Sequence, residues 1–455
     1  MEIRGLSDRK AGGLPVHLCK TAPDPKRVGE RAARFAAAAG FDPASGSLLL
    51  VPALDGSVEA AIFGVAPDAG AMDAGRLARL LPEGEWRLEG EFGDPSLAAL
   101  AFVLSSYSYD RYRRKRKQKA RLVLPSGVDR KSMVARAEAV CLARDLINTP
   151  TNDMGPAELE EAIRKVGKEY RAVVSSVVGE ALLEQGFPMV HAVGRASASA
   201  PRIIDLAWGE PAHPKVTLVG KGVCFDSGGL NVKPGDSMAL MKKDMGGAAS
   251  TIAIACMIMA ARLPVRLRLI VPAVENAISG NSFRPGDVLQ SRKGITVEIG
   301  NTDAEGRLIL GDALAWGDEE APALMLDMAT LTGAARVALG LDLPALFTDD
   351  NALAGELQSA GMKVCDPMWR LPLWQGYRKG LSSDIADISH IGKGSFGGSI
   401  TAALFLQRFV EKAASWAHVD LYAWTNADKP WAPAGGEPQG ARAIFEVLAS
   451  RYPRT

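Results

Sequence analysis

From Arg202 onward, short apolar runs alternate with helix-patterned stretches, and that rhythm leaves few folds open. Residues 216–219, 267–271 and 324–327 read as strands separated by helices. Such alternation argues for a mostly parallel or mixed sheet with helices on both faces. The chain has 455 residues, too many for one ordinary core, so two domains are expected. Residues 1–122 carry strand-like pieces such as 47–51 and helix-like pieces such as 27–39, with no catalytic constellation. The expectation is an α/β protein: a small N-terminal α/β domain (1–122), a connector (123–150) with a helix over 131–147, and a larger α/β domain (151–455). The larger domain holds a mixed, mostly parallel sheet flanked by helices. Asn148-Thr149-Pro150 breaks the connecting helix, because the residue before proline disfavours the helical region. Helical patterning resumes over 153–169.

Within this frame one octapeptide stands out, Asn301-Thr302-Asp303-Ala304-Glu305-Gly306-Arg307-Leu308. Before it, Ile295, Val297 and Ile299 alternate with polar residues, as in a half-buried strand; after it, Leu310, Ala313 and Leu314 recur at helical spacing. Asp303 and Glu305 therefore sit where a strand ends and a helix begins, the end at which open α/β sheets bind ligands. Two hard oxygen ligands there suit a divalent cation. An acid-rich helix N-terminus, favoured by the macrodipole, is the plainer reading. A second cluster, VTLVGKGVCFDSGGLNVKPGDSMALMKKDMGGAAS over 216–250, weighs against it. Lys221 directly follows a short apolar strand, and Asp226, Lys233 and Asp244 are spaced among glycines (Gly228, Gly229, Gly246, Gly247) that let backbone approach a site. Crowding Asp226, Asp244, Asp303 and Glu305 together would be balanced by two divalent cations.

Composition fits an ordinary globular protein, with 47% hydrophobic and 23% charged residues. A net charge of +1 implies no global polyelectrolyte partner. Five scattered cysteines, odd in number and without CxxC, suggest a reducing compartment, and the first residues lack the apolar core of a signal peptide. The longest apolar run, 248–261, is too short for a membrane span and reads as a buried helix, so no membrane partner is expected.

Other motifs carry less. Phe225-Asp226-Ser227-Gly228-Gly229 has the look of a serine-nucleophile loop, but that chemistry needs a paired histidine, and the five histidines form no evident nucleophile–base arrangement. Gly392-Lys393-Gly394-Ser395-Phe396-Gly397 fits G-x-G-x-x-G, yet the preceding DIADISHI is too polar for a central strand; a glycine loop at an active-site rim is expected instead. The basic run at 111–121 reads as a solvated face. No H-E-x-x-H is present, so any metal must be held by carboxylates and lysine.

The segments VGKGVCFDSGG, MKKDMGG, NTDAEGRLIL and ATLTGA resemble the leucyl aminopeptidase (cytosol aminopeptidase) family of dinuclear metallopeptidases. The resemblance runs from about Asn148 to about Leu448 and is most specific over 219–333. It implies an intracellular, cytoplasmic aminopeptidase that removes N-terminal residues from peptides with a free α-amine and assembles as a homohexamer. Lys221, Asp226, Asp244 and Glu305 would hold one metal. Asp226, Asp303 and Glu305, with the Asp303 carbonyl, would hold the other. The ions implied are Zn²⁺ or Mn²⁺, with Mg²⁺ or Co²⁺ an option at one site. Lys221 would ligate as a neutral amine, below its reference pKa of about 10.4. Lys233 would stay charged and stabilise the oxyanion, and Arg307 would hold a bicarbonate acting as general base. The Leu331 carbonyl would accept from substrate, and Met241, Thr330 and Gly333 would line the pocket for the P1 side chain. Some family members also act as DNA-binding architectural proteins, the alternative role for this chain, though nucleic acid is not the expected partner. Two departures bear on specificity: Tyr422-Ala423-Trp424 stands where many members carry small residues, placing Tyr422 beside the P1 pocket, and the tail GGEPQGARAIFEVL is unusual.

Overall fold

A computed structural model describes residues 3–90, 92–113 and 119–454. The chain divides into two compact units, Met1–Cys141 with Asn426–Ala434, and Leu142–Thr425 with Gly435–Thr455. Both are mixed α/β, as the alternation of elements predicts.

The first unit is built on five strands: β1 (Leu14–Cys19), β2 (Leu48–Pro52), β3 (Val58–Gly64), β4 (Gly84–Glu89) and β5 (Ala120–Leu122), in the order β2-β3-β1-β4-β5. Only the β2–β3 pair is antiparallel. The helix expected over 27–39 is two pieces, Pro25–Val28 and Glu30–Ala38, separated at Gly29, whose φ of 87° lies outside any helical region. Phe63, Trp86, Phe102 and Leu122 fill the core of this unit. Of the basic run, 114–118 lie outside the described residues; Arg121 comes within 3.9 Å of Glu85.

The second unit carries the larger sheet: β6 (Val173–Val178), β7 (Arg202–Trp208), β8 (Lys215–Gly220), β9 (Gly222–Asp226), β10 (Arg266–Asn276), β11 (Leu324–Ala329), β12 (Ala345–Phe347), β13 (Trp369–Arg370) and β14 (Trp416–Asp420). Its order is β13-β12-β14-β11-β8-β10-β7-β6, with β9 beside β10. Strands β14, β11, β8, β10 and β9 pair in parallel, as do β12 and β13, while β12–β14, β10–β7 and β7–β6 are antiparallel. The central strands are buried on both faces, which is why they read as unbroken apolar runs.

Helix Gly246–Ala261 is apolar all round and buried from Gly246 to Met259, packed against β8, β11 and the C-terminal helix. By length and composition Met241–Ala261 could cross a membrane, but 89% of its most apolar window is buried inside this unit, as expected of a core helix. Helix Glu305–Asp318 is a second core element, with Leu308, Ile309, Leu310, Ala313 and Leu314 fully buried.

One expectation shifts. The strand before Asp303, here Thr296–Glu298, belongs not to the main sheet but to a small three-stranded one with Val288–Gln290 and Ile388–Ser389. Its parallel partner lies about ninety residues away, a pairing that local periodicity does not encode.

Candidate metal centre

The main sheet ends its parallel strands at a common edge, and the acidic residues arrive there from separate directions. Lys221 directly follows β8; its amide donates to the Met328 carbonyl on β11 (3.0 Å), and its carbonyl accepts from Ala248 in helix Gly246–Ala261 (2.9 Å). Asp226 closes β9. Asp244 lies in the short 3₁₀ turn Met241–Met245 that leads into the same helix. Asn301 caps the turn Thr302–Ala304, its side chain accepting from the Asp303 amide (2.8 Å), and Glu305 is the first residue of the helix that follows. A strand, a capped turn and a buried helix thus set Asp303 and Glu305 side by side.

Two glycines are required by this geometry. Gly228 adopts φ +88°, and a side chain there would lie 2.4 Å from the Asn231 carbonyl oxygen and 3.1 Å from Asp303 Oδ1. At Gly306 a Cβ would sit 2.4 Å from Lys221 Cε, so only glycine lets the lysine lie along the helix start.

Asp226, Asp244 and Glu305 each offer an oxygen within 4.8 Å of the others. Lys221 Nζ lies among them, 2.8 Å from Asp244 Oδ2 and 3.0 Å from Glu305 Oε1, and donates to the Thr330 carbonyl at 3.0 Å. Lys233 Nζ lies 2.8 Å from Asp226 Oδ2 and 2.5 Å from Asp303 Oδ1. Two ammonium groups thus face four carboxylates. Glu305, 1% exposed, meets Lys221 at Oε1, and its Oε2 receives no hydrogen bond from a described residue. Burial, with Asp226 and Asp244 nearby, pushes Glu305 up to about 8 despite both lysines. Burial and Asp244 likewise push Asp226 up to about 6, against Lys233 and Lys221. Burial alone would lower both lysines, but Asp244, Glu305 and Asp226 hold Lys221 above its ordinary value, and Asp226 foremost does the same for Lys233. An incompletely neutralised carboxylate cluster with unpaired oxygens fits divalent cations.

The same edge opens into a cavity of about 590 Å³. Lys221, Asp226, Lys233, Asp244, Asp303, Arg307, Met241, Thr330, Leu331, Gly333 and Tyr422 all line it; Glu305 alone among the sequence-predicted site residues lies beneath the surface. Arg307 donates from Nη1 to the His390 carbonyl (2.7 Å), while its buried Nε has no hydrogen-bond acceptor. Burial draws Arg307 down to about 10, opposed by Glu305 and Asp420, so it remains cationic at neutral pH. Tyr422 is half-buried at the cavity wall rather than in the sheet core. The 392–397 glycine loop leads into helix Gly398–Gln407, whose first residue lines the cavity, as a rim loop should.

Sequence reasoning missed several supports. Asn276, at the end of β10, donates to Asp226 Oδ1 (2.8 Å) and to the Thr302 carbonyl (3.1 Å); Thr302 Oγ1 donates to the Gly228 carbonyl (2.6 Å). Asp420 accepts from the amides of Leu331 and Thr332 and from Thr332 Oγ1, fixing the loop that carries Thr330. Lys243 and Arg336 also line the cavity. Burial lowers Lys243 to about 7, with Asp244 opposing and Arg336 reinforcing. Thr302 and Lys243 lie within NTDAEGRLIL and MKKDMGG without standing out there, and Asn276, Asp420 and Arg336 come to the site only through the fold.

The chain matches the model of the cytosol aminopeptidase family catalytic domain over residues 141–445, and that of the M17 aminopeptidase N-terminal domain over 26–125. A protein named "Probable cytosol aminopeptidase" from Geobacter sp. (strain M21) is 41% identical over 366 residues, 77% of this chain and 74% of that protein. One of the same name from Syntrophotalea carbinolica is 44% identical over 68% of this chain, which spans 63% of that relative's length. Among solved structures, the cytosol aminopeptidase from Coxiella burnetii superimposes with a TM-score of 0.93 at 45% identity, covering 98% of this chain and 99% of its own. The bottromycin maturation enzyme BotP in complex with Mn gives 0.86 at 34% identity, covering 97% and 100%. With its carboxylate–lysine cluster set at the end of a mixed sheet, this chain belongs to the cytosol aminopeptidase family of metallopeptidases.

Proposed function

We propose that this protein is a cytosolic aminopeptidase that hydrolyses the N-terminal residue of peptides with two divalent cations. The observation that carries the reading is the convergence of Asp226, Asp244 and Glu305 around Lys221, with Glu305 Oε2 lacking a hydrogen-bond donor. Lys221, Asp226, Asp244 and Glu305 would hold one cation; Asp226, Asp303 and Glu305, with the Asp303 carbonyl, the other. The ions are Zn²⁺ or Mn²⁺, with Mg²⁺ or Co²⁺ an option at one site, in keeping with oxygen ligands and one amine. When bound, the pair supplies Lewis acidity at the scissile carbonyl and lowers the pKa of the attacking water. To ligate, Lys221 must give up the proton it now shares with Asp244, Glu305 and the Thr330 carbonyl. Lys233, on the cavity side of Asp226, keeps its proton and donates to the oxyanion that forms on the substrate carbonyl. The Leu331 carbonyl, at the wall, accepts from the substrate backbone. A homohexamer is carried over from the family, and sedimentation would test it. Neither the fold nor the relatives favour a DNA-binding role. Metal-loaded protein should hydrolyse aminoacyl amides but not their N-acetylated counterparts, and a chelator should abolish the rate; hydrolysis of both series alike would argue against an aminopeptidase.

Arg307 is the base-positioning residue of this scheme. With Nη1 fixed on the His390 carbonyl, the Nε–Nη2 edge of the guanidinium fork is left for a planar oxyanion such as bicarbonate. Added bicarbonate should stimulate degassed enzyme, and Arg307→Ala should be slower and lose the response. An unchanged response in the variant would leave Arg307 a structural partner of His390.

Tyr422 sets pocket size. With Met241, Thr330 and Gly333 it lines the cavity, so its ring takes space that a bulky P1 side chain would use. Small or unbranched P1 residues should be favoured over large aromatic ones. Each methylene's worth of fit is about 1–3 kcal/mol in kcat/KM. Tyr422→Ala should gain on phenylalanine amide relative to alanine amide with its metals retained; an unchanged ranking would refute the pocket role.

A further inference from the structure

Resting on the aminopeptidase reading, we propose that the pocket for the P1 side chain is built to take an acidic residue, aspartate or glutamate, with Lys243 and Arg336 as its charge-recognising groups. Three separate segments meet there: the 3₁₀ turn before the central helix brings Lys243, the loop after β14 brings Tyr422, and helix Gly333–Leu339 brings Arg336. Lys243 Nζ lies 4.4 Å from the centre of the Tyr422 ring, and the Arg336 guanidinium carbon lies 5.4 Å from the same ring. The ring thus gathers two like charges at one wall of the cavity.

Among the described residues, neither cation is ion-paired with a carboxylate. Lys243 is only 2% exposed, and its Nζ faces the Tyr422 ring with no hydrogen bond or ion pair to a described residue, feeling Asp244 and Asp420 only through space. Arg336 donates once, to the Thr332 carbonyl (3.2 Å). The acids whose charge acts on Lys243 are engaged elsewhere, Asp244 with Lys221 and Thr330 and Asp420 with Leu331 and Thr332, and Asp236, which also lines the cavity, is ion-paired with neither cation among the described residues. A lysine and an arginine at one cavity wall with no ion-paired carboxylate leave their attraction for an anion unused. The missing partner is an anion, and the cavity is the route by which it arrives. A P1 carboxylate also satisfies the size limit set by Tyr422, being unbranched and compact.

The test is kcat/KM for glutamyl, glutaminyl, aspartyl, alanyl and leucyl amides on the metal-loaded enzyme, with Gln as the neutral isostere of Glu. A charge-assisted contact predicts Glu over Gln by about tenfold or more. Lys243→Met and Arg336→Gln should each bring the Glu/Gln ratio toward one, and Lys243→Arg should keep it above one. In parallel, calorimetric titration of metal-loaded protein with free glutamate and free glutamine reads the pocket without turnover, and the same preference should appear and fade in the same variants. Gln equal to or better than Glu in wild type, or a ratio untouched by both charge-removing variants, overturns the proposal while leaving the aminopeptidase reading intact. No hydrolysis of any amide, with the glutamate preference in binding preserved, would overturn the aminopeptidase reading and leave the acidic pocket standing.

Discussion

Glu305→Ala should cost the protein its cations and, with them, nearly all turnover. Glu305 lies under the cavity floor, within reach of Lys221 and of the carboxylates of Asp226 and Asp244, where it can serve both metal positions. Losing the Lewis-acid contribution, several kcal/mol in such sites, corresponds to roughly a thousandfold or more in rate. Metal content by plasma mass spectrometry and turnover of an aminoacyl amide should fall together. The fold should survive, because Lys221 keeps Asp244 and the Thr330 carbonyl as partners when the Glu305 carboxylate is removed. Thermal unfolding of the metal-free chain should be no lower than in wild type, and the stabilisation that added Mn²⁺ gives the wild type should vanish. Retained metal with lost activity would place Glu305 in another role.

The two lysines should part company. Lys221→Ala removes a group in contact with Asp244 and Glu305 and should lower metal occupancy, with activity following occupancy. Lys233→Ala should keep its metals and lose kcat by roughly 10²–10³, the scale of other oxyanion donors, with KM much less affected. The difference is rooted in position. Lys221 is buried among three carboxylates, whereas Lys233 stands on a loop at the cavity side of Asp226 and Asp303, where a substrate carbonyl can displace its present partners. Equal metal loss in both variants would contradict this division.

Much of this was legible in the chain. The run at 324–327 announces a strand because β11 is buried on both faces, and 248–261 announces a core helix because every side of it is covered. Asp303 and Glu305 were readable as a pair because the alternating run from Ile295 and the helix-spaced run to Leu314 that flank them lie within twenty residues. What was hidden is what depends on distant partners. Thr296–Glu298 joins a side sheet through Ile388–Ser389, and the break at Gly29 is a backbone choice that an alanine-rich helical pattern masks. Asn276, Asp420, Lys243 and Arg336 each look ordinary in their own segment, and the fold alone brings them to the cavity. Periodicity reports which face is buried, not which residue will be waiting there.

The most direct test is the count of cations against activity. Metal-stripped protein would be titrated with Mn²⁺ while bound metal and aminoacyl-amide hydrolysis are followed together. Two ions per chain are predicted, with full turnover reached only as the second is bound. Saturation at one ion, or full turnover in rigorously metal-free protein, would contradict the two-cation site.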